Sequence, residues 1–283
     1  MLIYVLMLAV SALAALLVTR SLSRHPPKGL AVRNFRGVET PVTGGVVLLV
    51  GLIAAEVLAA LVGHFALPSS SHHLAFFPGL RLPPLAIALG FFALGAVDDL
   101  AGAGSAKGLL GHLKSLFRGE ITGGILKAGG GLVLSFAISL VWTSLFAGAI
   151  LDALIISLFA NLFNLFDLRP GRSVKIFLVG SVFFLSFGRV SLEVPIVWAL
   201  FGAAIVWLPV DLKEKGMLGD SGANMLGAVF GAGVAFSLPQ NLSKVVMLGV
   251  LLGLTLVSEK WSFGDLIERV PPLRWLDRLG RMP

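Results

Sequence analysis

Apolar segments long enough to cross, or nearly cross, a bilayer follow one another along almost the whole chain. They run Leu2–Val18, Val42–Gly63, Leu82–Val97, Gly123–Phe146, Ala149–Phe166, Val174–Phe187, Val194–Val210, Ala223–Leu238 and Val245–Val257. In hydrocarbon every backbone N–H and C=O must find its partner inside the protein, and a helix achieves this within one segment. A straight crossing takes roughly 20 residues. The chain is therefore expected to be all-α, a polytopic integral membrane protein of about nine transmembrane helices, or ten. Composition agrees: 57% of residues are hydrophobic and 13% charged, where soluble domains have about half and a quarter. The lack of cysteine excludes disulfides and thiolate chemistry. Residues 1–258 read as the transmembrane helical domain. The tail, 259–283, mixes Ile267, Val270, Leu273, Trp275, Leu276 and Leu279 with arginines, and reads as an amphipathic segment on the cytoplasmic surface.

Lysine and arginine set the expected orientation. All but three of the 22 fall in the segments after the first, third, fifth, seventh and ninth runs or their flanks. Only Arg81, Arg189 and Lys244 fall on the other side. Cytoplasmic loops carry the excess of positive charge, so the N-terminus is expected outside and the basic loops and tail in the cytoplasm of a cell lying under its plasma membrane. The net charge of +7 is accounted for by these loops, and no nucleic acid is expected as a partner. The first run has no basic segment before it and is followed by Arg20 and Arg24, as an anchor would be.

The carboxylates follow the same geography. Asp98, Asp99, Asp167, Asp211 and Asp220 stand at cytoplasmic ends of expected spans, while Glu56, Asp152 and Glu193 fall in the outer half. In Leu94-Gly95-Ala96-Val97-Asp98-Asp99-Leu100 an apolar run stops at two adjacent acids. Two like charges at the edge of hydrocarbon repel and resist desolvation, which a bound cation or a proton-handling role would offset. Solvated helix-end charges are the plainer alternative. Asn161, Asn164 and Asp167 recur every three residues and form one polar stripe, suited to a cavity or to helix–helix hydrogen bonds. Gly219-Asp220-Ser221-Gly222-Ala223-Asn224 opens a span: Asp220 could cap it, a helix N-terminus attracts anions, and Gly222 would leave room for a phosphate. Thr40-Pro41-Val42-Thr43-Gly44-Gly45 opens another span and reads first as helix entry. Arg169 and Arg172 make the turn Leu168–Ser173 suited to phosphate. Gly227/Gly231 and Gly249/Gly253 have the spacing that packs membrane helices. None of the five histidines shows metal-ligand spacing. Separate carboxylates meeting amid Lys and Arg at one face describe a site for a metal and anionic phosphates.

Four of these stretches, in this order, resemble the polyprenyl-phosphate N-acetylhexosamine-1-phosphate transferase family, which includes phospho-N-acetylmuramoyl-pentapeptide transferase. They are Thr40-Pro41…Gly44-Gly45, Asp98-Asp99, Asn161…Asn164-Leu165…Asp167 and Gly219-Asp220-Ser221-Gly222, and the resemblance covers roughly Arg33 to Gly227. It implies a Mg2+-dependent transfer of a sugar-1-phosphate from a UDP-sugar to a polyprenyl phosphate, releasing UMP, in cell-envelope glycan synthesis. By that likeness Asp98, Asp99 and Asp220 are catalytic, with Asp220 and Asp99 as metal ligands and Asp98 and Asp99 receiving the lipid phosphate and its proton. Asn161, Asn164, Asp167, Lys107, Lys127, Thr40, Gly44 and Gly222 would contact substrates. The implied partners are the lipid, the nucleotide sugar and the membrane, with a homodimer also allowed. The family's Asn-rich motif continues with a glycine and a second aspartate where this chain has Leu168 and Pro170, and no histidine follows His112 where the family commonly carries a cluster. Two other readings compete: a relative that binds lipid or nucleotide without turnover, and an ion-coupled transporter. The transporter reading calls for mid-membrane carboxylates and internal repeats, neither of which is visible in the sequence.

Overall fold

The computed structural model describes residues 2–25, 27, 29–66, 82–101, 123–143, 145–187, 194–238 and 242–282. Its helices are α1 (Leu2–Arg24), α2 (Gly44–Ala66), α3 (Leu82–Ala101), α4 (Gly123–Trp142), α5 (Phe146–Phe166) and α6 (Arg172–Phe187). They continue with α7 (Val194–Leu212), α8 (Gly219–Ser237), α9 (Leu242–Lys260), α10 (Phe263–Arg269) and α11 (Pro271–Arg278). Each apolar run of the sequence falls on a helix. A short antiparallel hairpin, β1 (Ala31–Arg33) and β2 (Glu39–Pro41), precedes α2, with Val32 opposite Thr40.

The protein is an all-α membrane protein. Among the described residues six helices are long and apolar enough to cross a bilayer: α1, α2, α3, α4, α5 and α7. A seventh is added if α9 and α10, bent by 95° at their junction, form one broken span. This is fewer than the run count suggests. One reason is that α6 has only 16 residues; another is that α8 is glycine-rich and begins with Asp220 and Asn224, so it is less apolar than its neighbours.

Helix α8 can be this polar because it is surrounded by protein. It packs against α3 and α5, and also touches α2 and α6. Most of its residues are buried, from Gly219 to Ala235. Small residues let the backbones approach: a Cβ on Gly227 would lie 2.5 Å from the Phe159 carbonyl oxygen and 2.8 Å from Ala160 Cα. The Gly227/Gly231 pair thus packs helices as its spacing suggests. Gly249 and Gly253 on α9 show no such packing, since among the described residues nothing lies within 4 Å of a Cβ at either position.

The two ends of the bundle are chemically different. At one end, Asp152 on α5 is fully buried and bonded to Thr143 (2.6 Å) and to the ammonium of Lys244, itself 2% exposed on α9. The other end gathers the C-termini of α3, α5 and α7 and the N-termini of α2, α4, α6 and α8, together with the hairpin and the tail.

The tail is docked rather than loose. Arg172 forks onto Asp277 at 2.8 and 3.0 Å, Arg281 grips the same carboxylate, and the Arg281 Nε donates to the Pro170 carbonyl (2.8 Å). Lys175 donates to the carbonyls of Leu276, Asp277 and Leu279. Burial works against the charge on Asp277, but the bonds and charges of Arg172 and Arg281 outweigh it and hold the carboxyl below the usual aspartate range.

Candidate active site at the polar end of the bundle

The segment before α8 is built by the Thr40–Gly45 stretch. Met217 N–H donates to the Pro41 carbonyl (2.9 Å), and the Met217 carbonyl accepts from Thr43 and Gly44. Gly45 N–H then donates to the Leu218 carbonyl (3.0 Å). The start of α2 therefore fixes where α8 begins. Thr40 is buried in β2 and donates to the Val38 carbonyl (3.2 Å). A Cβ on Gly44 would strike the Trp207 ring and Leu218 Cα, and one on Gly222 would strike Leu218 and come within 3.1 Å of Gly45 Cα. The room expected beside Gly44 and Gly222 for a ligand is thus filled by protein: these positions serve close packing.

Asp99 completes the start of α8. Its Oδ1 accepts from the Asp220 N–H (2.8 Å) and its Oδ2 from the Ser221 N–H (3.0 Å). A carboxylate at a helix N-terminus satisfies orphan donors and opposes the helix dipole. Two glycines permit this approach. Gly219 adopts φ +77° and a side chain there would meet Val42 and Asp99, while a Cβ on Gly95 would fall 2.4 Å from the Asp220 carbonyl.

With α3 and α8 locked together, the polar side chains converge. Lys127 of α4 donates to Asp98 Oδ2 (2.9 Å) and to Asp220 Oδ2. Asn164 of α5, with its amide nitrogen toward Asp220, donates to Oδ1 (2.8 Å) and accepts from Lys127 (3.2 Å), the orientation that satisfies both neighbours. Asp167, just past α5, faces the Gly219 N–H. Burial, with Asp211, Asp220 and Asp99 adding to it, pushes its carboxyl well above the ordinary range. Four helices and one helix end thus contribute to a single cluster of Asp98, Asp99, Lys127, Asn164, Asp167 and Asp220.

Other sequence candidates lie elsewhere. Asn161 is exposed on α5. Lys107 falls outside the described residues. The two cations of the Leu168–Ser173 turn, expected for phosphate, are engaged by protein. Arg172 is buried on Asp277, and the Arg169 guanidinium lies 4.6 Å from the Phe35 ring centroid. Where the resembled family has its second aspartate, Pro170 offers its carbonyl to Arg281. The sequence reading did not pair Asp211 with this turn: it accepts the Gly171 N–H (3.0 Å) at positive φ, and so shapes the backbone leading away from Asp167. A Pro-Gly turn beside a run-ending acid was the available signal.

The chain matches no protein-family model and no curated protein sequence. Among the described residues no three acidic or histidine side chains are grouped to hold a metal on their own. What the cluster does offer is a cation position. The ammonium of Lys127 sits among two carboxylate oxygens and an amide oxygen, all hard donors of the kind Mg2+ takes, and Mg2+ commonly uses only one or two protein carboxylates beside substrate phosphates and water. The donor set therefore fits a magnesium ion.

Proposed function

We propose that this protein transfers a sugar-1-phosphate from a UDP-sugar to a polyprenyl phosphate at the cytoplasmic membrane face, releasing UMP, as a step in cell-envelope glycan synthesis. One observation carries the reading: Asp98, Lys127, Asn164 and Asp220, from four different helices, meet at one end of a membrane bundle. In this reading that end is cytoplasmic, the N-terminus is outside, and the shorter helices α6, α8 and α9 join the six to give nine crossings. The lipid substrate cannot leave the bilayer and the nucleotide cannot enter it, so the chemistry belongs at the interface.

The reaction forms a bond between a lipid-phosphate oxygen and the sugar-bearing phosphorus of the donor. It breaks the bond from that phosphorus to the bridging oxygen, which departs on UMP. Asp98 accepts a proton from the lipid phosphate. Lys127, between Asp98 and Asp220, can swing to the diphosphate and offset its charge. Asn164 orients Asp220, and Asp167 lines the donor side beside Gly219. Asp220 and the Asn164 amide oxygen would hold Mg2+, which when bound neutralises phosphate charge as it develops on the leaving oxygen. Asp99, with both oxygens on backbone N–H groups, acts as a positioning residue that sets the start of α8.

The test is UMP release by purified protein given Mg2+, undecaprenyl phosphate and a panel of UDP-sugars. Asp98→Asn and Asp220→Asn should each lower turnover by roughly two to four orders of magnitude while leaving the folded protein intact. No release with any donor, where a related transferase is active, would refute the reading. UDP-sugar binding without release would favour a non-catalytic binder instead. For that outcome the tie between Pro170 and Arg281, in place of a second acidic contact, is the relevant feature.

A further inference from the structure

The tail has an inner face and an outer one. Asp277 is the one acid of α11 and it points into the protein, 7% exposed, under Arg172 and Arg281. Successive helical residues are turned by about 100°, so Trp275 lies nearly opposite Asp277, and it is 64% exposed. Leu276 and Leu279 are half-exposed beside it. An open groove on this side is lined by Pro271, Arg274, Trp275, Arg278, Leu279 and Gly280. The 95° bend after α9 carries α10 across the end of the bundle instead of along its axis, and leaves Trp261 and Leu266 exposed as well.

An exposed face with aromatic, leucine and arginine side chains and its one acid turned inward is poorly matched to water. It is well matched to the boundary layer of a bilayer, where tryptophan settles at headgroup depth and arginine meets lipid phosphate. The exposed Arg278–Glu268 pair (2.7 Å) is of the kind that contributes little in water, so phosphate can compete for that guanidinium. The bilayer is adjacent, because the same bundle carries six helices able to cross it. We propose that the outer face of α11 docks on anionic phospholipid headgroups, with Arg274 and Arg278 on phosphate and Trp275, Leu276 and Leu279 in the headgroup–acyl boundary. Since the inner face holds the Pro170 carbonyl through Arg281, a docked tail also pins the turn that follows Asp167. The inference stands apart from the proposed transfer reaction and needs no substrate.

The chain has no cysteine, so Leu276→Cys gives a single attachment point for an environment-sensitive fluorophore. The full protein is placed in nanodiscs of phosphatidylcholine alone, or of phosphatidylcholine and phosphatidylglycerol in equal parts. The emission maximum should shift to the blue only in the anionic discs, and the shift should reverse in high salt. Each arginine near an anionic surface contributes about a fivefold preference. Arg274→Glu with Arg278→Glu should therefore lower the ratio of docked to undocked tail by at least about 25-fold and abolish the shift. Identical emission in both discs overturns the proposal, as does a shift that survives the double charge reversal. A shift that appears in lipid-free detergent and grows with protein concentration would assign the face to a second copy of the chain and overturn it too. Circular dichroism and retained inner-face protection of α11 from hydrogen exchange establish that the variants are folded.

Discussion

Replacing Lys127 with methionine isolates what its ammonium does between Asp98 and Asp220. The Lys127, Asp98 and Asp220 side chains are 19%, 26% and 31% exposed. Fully exposed ion pairs contribute about 0–1 kcal/mol, and removing one partner of a fully buried pair costs about 3–5 kcal/mol. A site a fifth to a third open to solvent falls between, so Lys127→Met should destabilise the protein by about 2 kcal/mol. For a chain of this size that is a fall of roughly 4–8 °C in Tm. The loss comes from two carboxylates left facing each other, so it should shrink when Asp98→Asn is added to Lys127→Met. The same oxygens are hard donors, so Mg2+ should restore more Tm in Lys127→Met than in the parent protein, where the ammonium competes for them. Thermal unfolding followed by intrinsic fluorescence in detergent, first with chelator and then along a Mg2+ titration, measures all three effects. An unchanged Tm, with equal Mg2+ response in both proteins, would refute the argument that Lys127 holds these acids together.

Other consequences follow from neighbouring features. Gly95→Val would force a side chain into the Asp220 backbone 2.4 Å away, at a cost of about 1–3 kcal/mol or more, and should abolish UMP release; normal Tm and release would count against the close α3–α8 contact. Lys244→Met or Asp152→Ala alone should each cost about 3–5 kcal/mol in unfolding experiments. Asp152→Leu combined with Lys244→Met should recover most of that loss, and a double variant as unstable as the singles would contradict the buried pair. Because Asp277 is held below its ordinary pKa, its contribution is present above the unfolded value of about 3.9 and is lost as pH falls through the lower folded one. The protection factor of α11, its exchange measured against the intrinsic rate at each pH, should therefore hold from about pH 7 to about pH 5 and fall only below about pH 4; a fall between about pH 7 and about pH 5 would be incompatible with that clamp.

Among the described residues, hydropathy alone located the long helices α1 to α9, because an apolar run has few alternatives to helix in a membrane. It was less able to say which of these helices cross. Helix α8 looks marginal by composition, yet it lies at the centre, and its glycines and Asn224 are tolerated because α3 and α5 shield them from lipid. The site was partly legible: Asp98, Asn164, Asp167 and Asp220 stood out as polar groups at the ends of apolar runs. Their roles were not. Asp99 differs from Asp98 only in the direction its side chain takes, and that direction turns a candidate ligand into a helix cap. The resemblance named Lys127 as a substrate contact, but its pairing with Asp98 and Asp220 appeared only once α4 was placed against α3.

The sequence by itself determined that this chain is an all-α membrane protein with most of its acids and bases at the ends of apolar runs, since those properties depend on runs of neighbouring residues and on counts along the chain. Tertiary structure decided which charges meet: Lys127 with Asp98 and Asp220, Lys244 with Asp152, Arg172 with Asp277. Partners 29 to 105 residues apart are set by the rotation and depth of each helix in the packed bundle. That packing depends on small residues such as Gly95, Gly227 and Gly231, whose effect appears only when two backbones come together.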